Sequence, residues 1–104
     1  MTEDAGHWLR YGEAKMLEAE LSPEADKELL FLEARDALIR ADKLEPGRGA
    51  WKLACISARL NNAKLCRKWL ERAQKYDALP PSDELRNSPY LKSVQNQKWF
   101  KALF

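Results

Sequence analysis

Arg48, Lys52, Cys55 and Arg59 stand four, three and four residues apart. At 3.6 residues per turn this spacing puts them on one stripe of a helix. Leu53, Ala54 and Ser57 fall on other faces, so the spacing predicts a stripe outside the core periodicity. Three cations beside Trp51 suit an acidic segment or a terminal carboxylate, because Arg offers a bidentate fork and Trp an apolar contact. The alternative reading is a solvated basic face, with Trp51 packed inside the protein.

Other chemistry-bearing residues have no partners in the sequence. His7 is the single histidine and reads as an exposed residue at the start of a helix. Cys55 and Cys66, the two cysteines, fall on facing helices and read as packed, reduced thiols. With one His and two Cys, no metal site is expected. There is no GxGxxG, P-loop or GxSxG pattern. The acids of residues 13–45 alternate with Lys and Arg at helix-face spacing. No catalytic residue, cofactor or enzymatic activity is therefore expected.

The elements that must carry the stripe are helices. The chain has 104 residues, one domain's worth. It is 45% apolar and 33% charged, with four Trp, three Tyr and three Phe to build a core. The longest run of large apolar residues, 29–32, is far too short to span a bilayer. Residues 1–15 hold Glu3 and Asp4 and no apolar stretch, so no signal peptide is expected and the cytoplasm is the expected location. Net charge is +2, but residues 1–45 hold 6 Lys/Arg against 12 acids, while residues 46–76 hold 8 against Glu71 alone. Either this dipole steers a charged partner, or the acidic and basic halves attract each other within one domain.

Gly and Pro punctuate long stretches of Ala, Leu, Glu, Lys and Arg, and the chain holds one Val, one Thr and two Ile. The expected class is all-α. A first helix over 5–20 has Trp8, Tyr11 and Leu17 mainly on one side. Ser22 and Pro23 read as the cap and first position of a second helix ending near Leu44, with Leu30, Ala34, Ala37, Leu38 and Ala41 inward. A third helix spans 49–60. Asn61 and Asn62 turn the chain into a fourth over 63–76, with Cys66, Trp69, Leu70 and Ala73 inward. Pro80 and Pro81 break the chain before two short helices, one after Pro89 and one around Trp99 and Phe100.

Helices two and four match at an offset of 32: Ala34 with Cys66, Leu38 with Leu70, Arg40 with Arg72, Ala41 with Ala73. Helices one and three match at 42: Trp8 with Ala50, Tyr11 with Leu53, Gly12 with Ala54. Trp8-x2-Tyr11-Gly12 followed by Ala34-x3-Leu38-x2-Ala41-x4-Pro46 resembles the tetratricopeptide repeat (TPR). Residues 53–56 with Asn61, Asn62 and Cys66-x3-Leu70-x2-Ala73 resemble the last repeat of a TPR array, and 85–90 with Trp99 and Phe100 resemble its end cap. Cys66 stands where the family mostly has Ala. Pro80 lies two residues later than the repeat-ending proline.

The resemblance implies a right-handed helical-hairpin solenoid: a long first hairpin over 5–46, a second over 48–77 and capping helices over 82–104. Arg48, Trp51, Cys55 and Arg59 would face a concave peptide groove, with Lys52 at its edge and Glu13 and Met16 beside them. The implied function is a scaffold for a protein or acidic peptide. A nucleic-acid-binding adaptor using the basic second hairpin is the rival reading, disfavoured by the acidic first half. No membrane partner is expected. Nothing before residue 5 covers the first hairpin, so self-association through it is a further expectation.

Overall fold

The computed structural model describes residues 4–103. Asp4 opens the first helix, its carboxylate accepting from His7 N at 2.7 Å. Helix α1 (Ala5–Leu21) and helix α2 (Glu24–Leu44) pack along their lengths as a hairpin. Ser22 does not cap α2. Its hydroxyl instead donates back to the Glu18 carbonyl at 2.7 Å, while Lys27 Nζ donates to the Ala19 and Glu20 carbonyls at 2.9 Å. These donors satisfy the carbonyls left open at the end of α1, so the turn serves the helix before it. Pro23 sits one position ahead of α2.

Helix α3 (Ala50–Arg59) and helix α4 (Ala63–Lys75) form a second, shorter hairpin. Asn61 takes the left-handed conformation at φ 62°, and Asn62 caps α4 by accepting from Leu65 N at 3.1 Å. The tail is α5 (Ser82–Asn87), a 3-10 helix (Pro89–Val94) and α6 (Lys98–Lys101). Helix α5 lies within the 82–104 segment expected to hold capping helices, ahead of the two short helices that the sequence places after Pro89 and around Trp99. Six α-helices, one 3-10 helix and no strands make up the described residues. None of these helices is long and apolar enough to cross a membrane.

Small residues set the helix spacing. A Cβ on Gly12 would lie 2.7 Å from the Leu38 side chain, so α1 and α2 meet closely there. Ala34, Ala37, Leu38 and Ala41 are buried as the pattern predicts, and Phe31 joins them. The large residues of α1 depart from expectation. Tyr11 and Leu17 are 46% and 57% exposed, while Ala5, Gly12, Met16 and Ala19 are the buried face. The close approach at Gly12 explains this: there is no room beside it for a ring, and Tyr11 turns outward against Trp8 and Lys15.

Two apolar clusters result. One joins Met16, Phe31, Leu38, Leu53 and Ile56; the other joins Ala54, Ala58, Cys66, Leu70, Leu85, Leu91, Val94 and Phe100. Trp51 packs against both. The tail therefore covers the second hairpin, with each large buried side chain worth about 1.5–3 kcal/mol. Of the two aromatics that resemble the end cap, Phe100 is buried, while Trp99 is half-buried, lying under the Arg67 guanidinium at 5.8 Å.

Candidate functional site

Where α1, α3 and the tail meet there is a cleft of about 350 Å³. Met16 comes from α1, and Trp51, Lys52 and Cys55 from α3; Glu84 and Asn87 of α5 and residues 88–90 form the opposite wall. Four of the residues singled out from the sequence thus meet in one concavity. Its lining is mostly apolar and aromatic, with Lys52, Glu84, Asn87 and Ser88 as polar groups.

Tyr90 holds the tail wall in place. Its hydroxyl donates to Glu20 Oε1 at the end of α1, and its ring meets Phe31 of α2 edge-on at 6.2 Å. The tail thereby reaches across α3 to the first hairpin.

The expected stripe is neither one helix face nor a row of free cations: Arg48 lies in the turn before α3, because the chain enters the helix only at Ala50. Arg48 pairs with Glu45 at 2.9 Å, Lys52 with Glu13 at 3.8 Å, and Arg59 with Glu24 at 4.0 Å. Arg48, Arg59 and Glu13 do not line the cleft; Glu13 meets it through Lys52. The acidic first half and the basic second half meet through these exposed pairs, each worth well under about 1 kcal/mol.

Cys55 is packed, as read for the thiol, and does not share the exposure of the cations on its stripe. It is 2% exposed, at the base of the cleft with Ser88 beside its thiol. Burial raises both thiols, Cys55 and Cys66, to about 12, so neither is a thiolate nucleophile at neutral pH. Both are free. Among the described residues no three His, Cys, Asp or Glu side chains gather to hold a metal ion. His7 is exposed, its ring edge-on to Trp8 at 5.3 Å.

Asp42, which the sequence reading passed over, organises the junction of the hairpins. It is 4% exposed. Its Oδ1 accepts from Gly47 N at 3.0 Å and Gly49 N at 3.3 Å, and its Oδ2 from Arg72 Nε at 2.6 Å. A signal was present: an acid in the last turn of a helix opposes the helix dipole and so demands a specific partner.

On the outer face of the first hairpin, Trp8, Tyr11, Glu33, Asp36 and Arg40 surround a second hollow, with Arg40 stacked 4.7 Å above the Trp8 ring. No family model, no curated protein and no solved structure matches this chain.

Proposed function

We propose that the chain is a non-catalytic, TPR-like scaffold of the cytoplasm that binds a short peptide segment in the cleft between α1, α3 and the tail. The observation that carries this reading is the meeting of Met16, Trp51, Lys52 and Cys55 in one concavity. An apolar peptide side chain enters against Met16 and Trp51, and a peptide carboxylate takes the place of Glu13 on Lys52. The 3.8 Å separation of Lys52 and Glu13, both substantially exposed, makes that exchange inexpensive. The proposed solenoid is supported by two successive helical hairpins, by the Gly12–Leu38 approach and by the tail covering the second hairpin. Burial keeps the thiol at the cleft's base protonated, which argues against thiolate catalysis there.

The test is selection of peptides from a random library on the purified chain, followed by titration into isotopically labelled protein. Shifts should concentrate on the Met16 methyl and the Trp51 indole. Lys52→Glu should weaken carboxylate-bearing peptides about tenfold or more, and Asn87→Trp, which fills the mouth, should block them. Peptides that bind both variants as they bind the parent, or that shift only the outer face of α2, would overturn the reading.

A further inference from the structure

The cations of the second half divide into two populations. Arg48 in the turn before α3, and Lys52 and Arg59 on α3, are met by acids: Glu45, Glu13 of α1 and Glu24 of α2. On α4 and α6 the exposed Lys64, Lys68, Lys98 and Lys101 have no ion pair among the described residues. Lys64 and Lys68 are one turn apart on the side of α4 opposite the buried Cys66, Leu70 and Ala73, and Lys75 continues that line. Of the acids of the first hairpin that reach the second, Glu13 and Glu24 meet Lys52 and Arg59 on α3, and Asp42 meets Arg72 of α4. The one acid of α4, Glu71, is taken by Arg67, so Lys64 and Lys68 have no acid paired to them among the described residues.

Arg67 joins the two lysine-bearing helices. It pairs with Glu71 at 3.3 Å and lies 5.8 Å over the half-buried ring of Trp99, which stands next to Lys98. A guanidinium over an indole, on helices whose lysines carry no ion pair among the described residues, offers both stacking and charge.

We propose that this outer face of α4 and α6 binds single-stranded nucleic acid. Phosphates meet the lysines, and a base stacks on the Arg67–Trp99 platform. An acidic protein segment would use the charge but not the platform. A bilayer would need apolar side chains to insert, and the only large apolar residue exposed on α4 is Leu65, at 36%. The face lies apart from the peptide cleft, and none of its residues lines that cleft.

The experiment is fluorescence anisotropy of a labelled single-stranded oligo-dT of about 20 nucleotides with the full chain, from about 50 to 200 mM salt. Three or four lysine contacts predict a log–log salt slope of roughly −2 to −3. Lys64→Glu with Lys68→Glu should weaken binding at least about tenfold while leaving helical content unchanged. Arg48→Glu with Arg59→Glu should weaken it far less. Trp99→Leu, which keeps an apolar side chain, should weaken oligo-dT more than it weakens polyglutamate. The proposal is overturned by no saturable binding at about 50 mM salt, by polyglutamate binding as well as oligo-dT, or by anionic vesicles binding where the oligonucleotide does not. Equal losses from the Arg48/Arg59 and the Lys64/Lys68 reversals would overturn it as well.

Discussion

Arg72 Nε donates to Asp42 Oδ2 at 2.6 Å, linking the last turn of α2 to α4 across thirty residues of chain. The same carboxylate accepts from the amides of Gly47 and Gly49. One buried acid thus shapes the loop between the hairpins and ties that loop to the second hairpin. Around it, Gly47 takes φ +89° against the Cβ of Tyr76, and the Arg72 guanidinium lies 5.0 Å over the Tyr76 ring. The register of the two hairpins, and so the placing of Trp51 and Lys52 beside Met16, depends on this junction.

Asp42→Ala should be among the most damaging single substitutions. It strands two buried amides and a guanidinium, a loss of about 3 kcal/mol or more. For a domain of this size the thermal midpoint should fall by more than about 10 °C. Asp42→Asn keeps one acceptor and should cost roughly half as much. Thermal melts followed by circular dichroism at pH 7 would separate the two; equal and small effects would remove Asp42 from this role.

Two glycines should respond in opposite directions. A Cβ at Gly49 would sit 2.4 Å from the Leu38 carbonyl oxygen, a backbone atom that cannot step aside. Gly49→Ala should therefore cost about 2 kcal/mol or more. At Gly6, in the first turn of α1, the nearest atom is the flexible end of Arg10 at 3.3 Å. Gly6→Ala should raise stability by about 0.5 kcal/mol, through helix propensity and a less mobile unfolded chain. Urea unfolding of the two variants checks both signs.

The thiols predict an alkaline weakness. Burial raises Cys55 and Cys66 to about 12 in the folded chain from a starting value of 9.0. Above pH 9 the unfolded chain loses thiol protons that the folded chain keeps, so stability falls as pH rises from about 9 to 12. Each thiol contributes a slope of up to about 1.4 kcal/mol per pH unit in that window and none below it. Unfolding free energies at pH 7, 9 and 10 should show the decline, and a Cys55→Ser, Cys66→Ala variant should show less of it. In the native state at pH 8, alkylating reagents should leave both thiols unmodified on the time scale that labels unfolded protein.

What was legible in the sequence follows physical range. The helices of the two hairpins were readable because their signals are local: Pro and Gly at the breaks, Asn61 in the left-handed turn, small residues at helical spacing. The pairing of Gly12 with Leu38 was not, since it joins residues 26 positions apart. The facing of Tyr11 and Leu17 was not readable, because a periodic pattern locates a stripe but not which edge of it a neighbour will cover. Cys55 had the spacing of the basic stripe, yet the tail folds over it, and that cover comes from residues more than thirty positions away. The cleft was half legible: the α3 residues and Met16 were named from pattern and resemblance, while its far wall depends on Tyr90 meeting Glu20 and Phe31.

That far wall yields the last prediction. Residues 88–104 contribute Leu91, Val94 and Phe100 to the cluster that covers Ala54, Ala58, Cys66 and Leu70. At about 1.5–3 kcal/mol for each large side chain, their removal approaches the whole stability of a small domain. A chain ending at residue 87 should lose its cooperative melt and associate through the uncovered face of α3 and α4. Phe100→Ala should produce a milder version, about 3–4 kcal/mol, by opening a cavity without removing the backbone around it. Tyr90→Phe separates anchoring from cover. It keeps the ring against Phe31 and removes only the exposed hydroxyl bond to Glu20, so it should cost less than about 1 kcal/mol. Hydrogen exchange should nevertheless rise over the 3-10 helix in Tyr90→Phe, because the link from that segment to α1 is gone. A truncated chain that stays monomeric and melts as the parent does would show that the tail lies on the second hairpin without holding it.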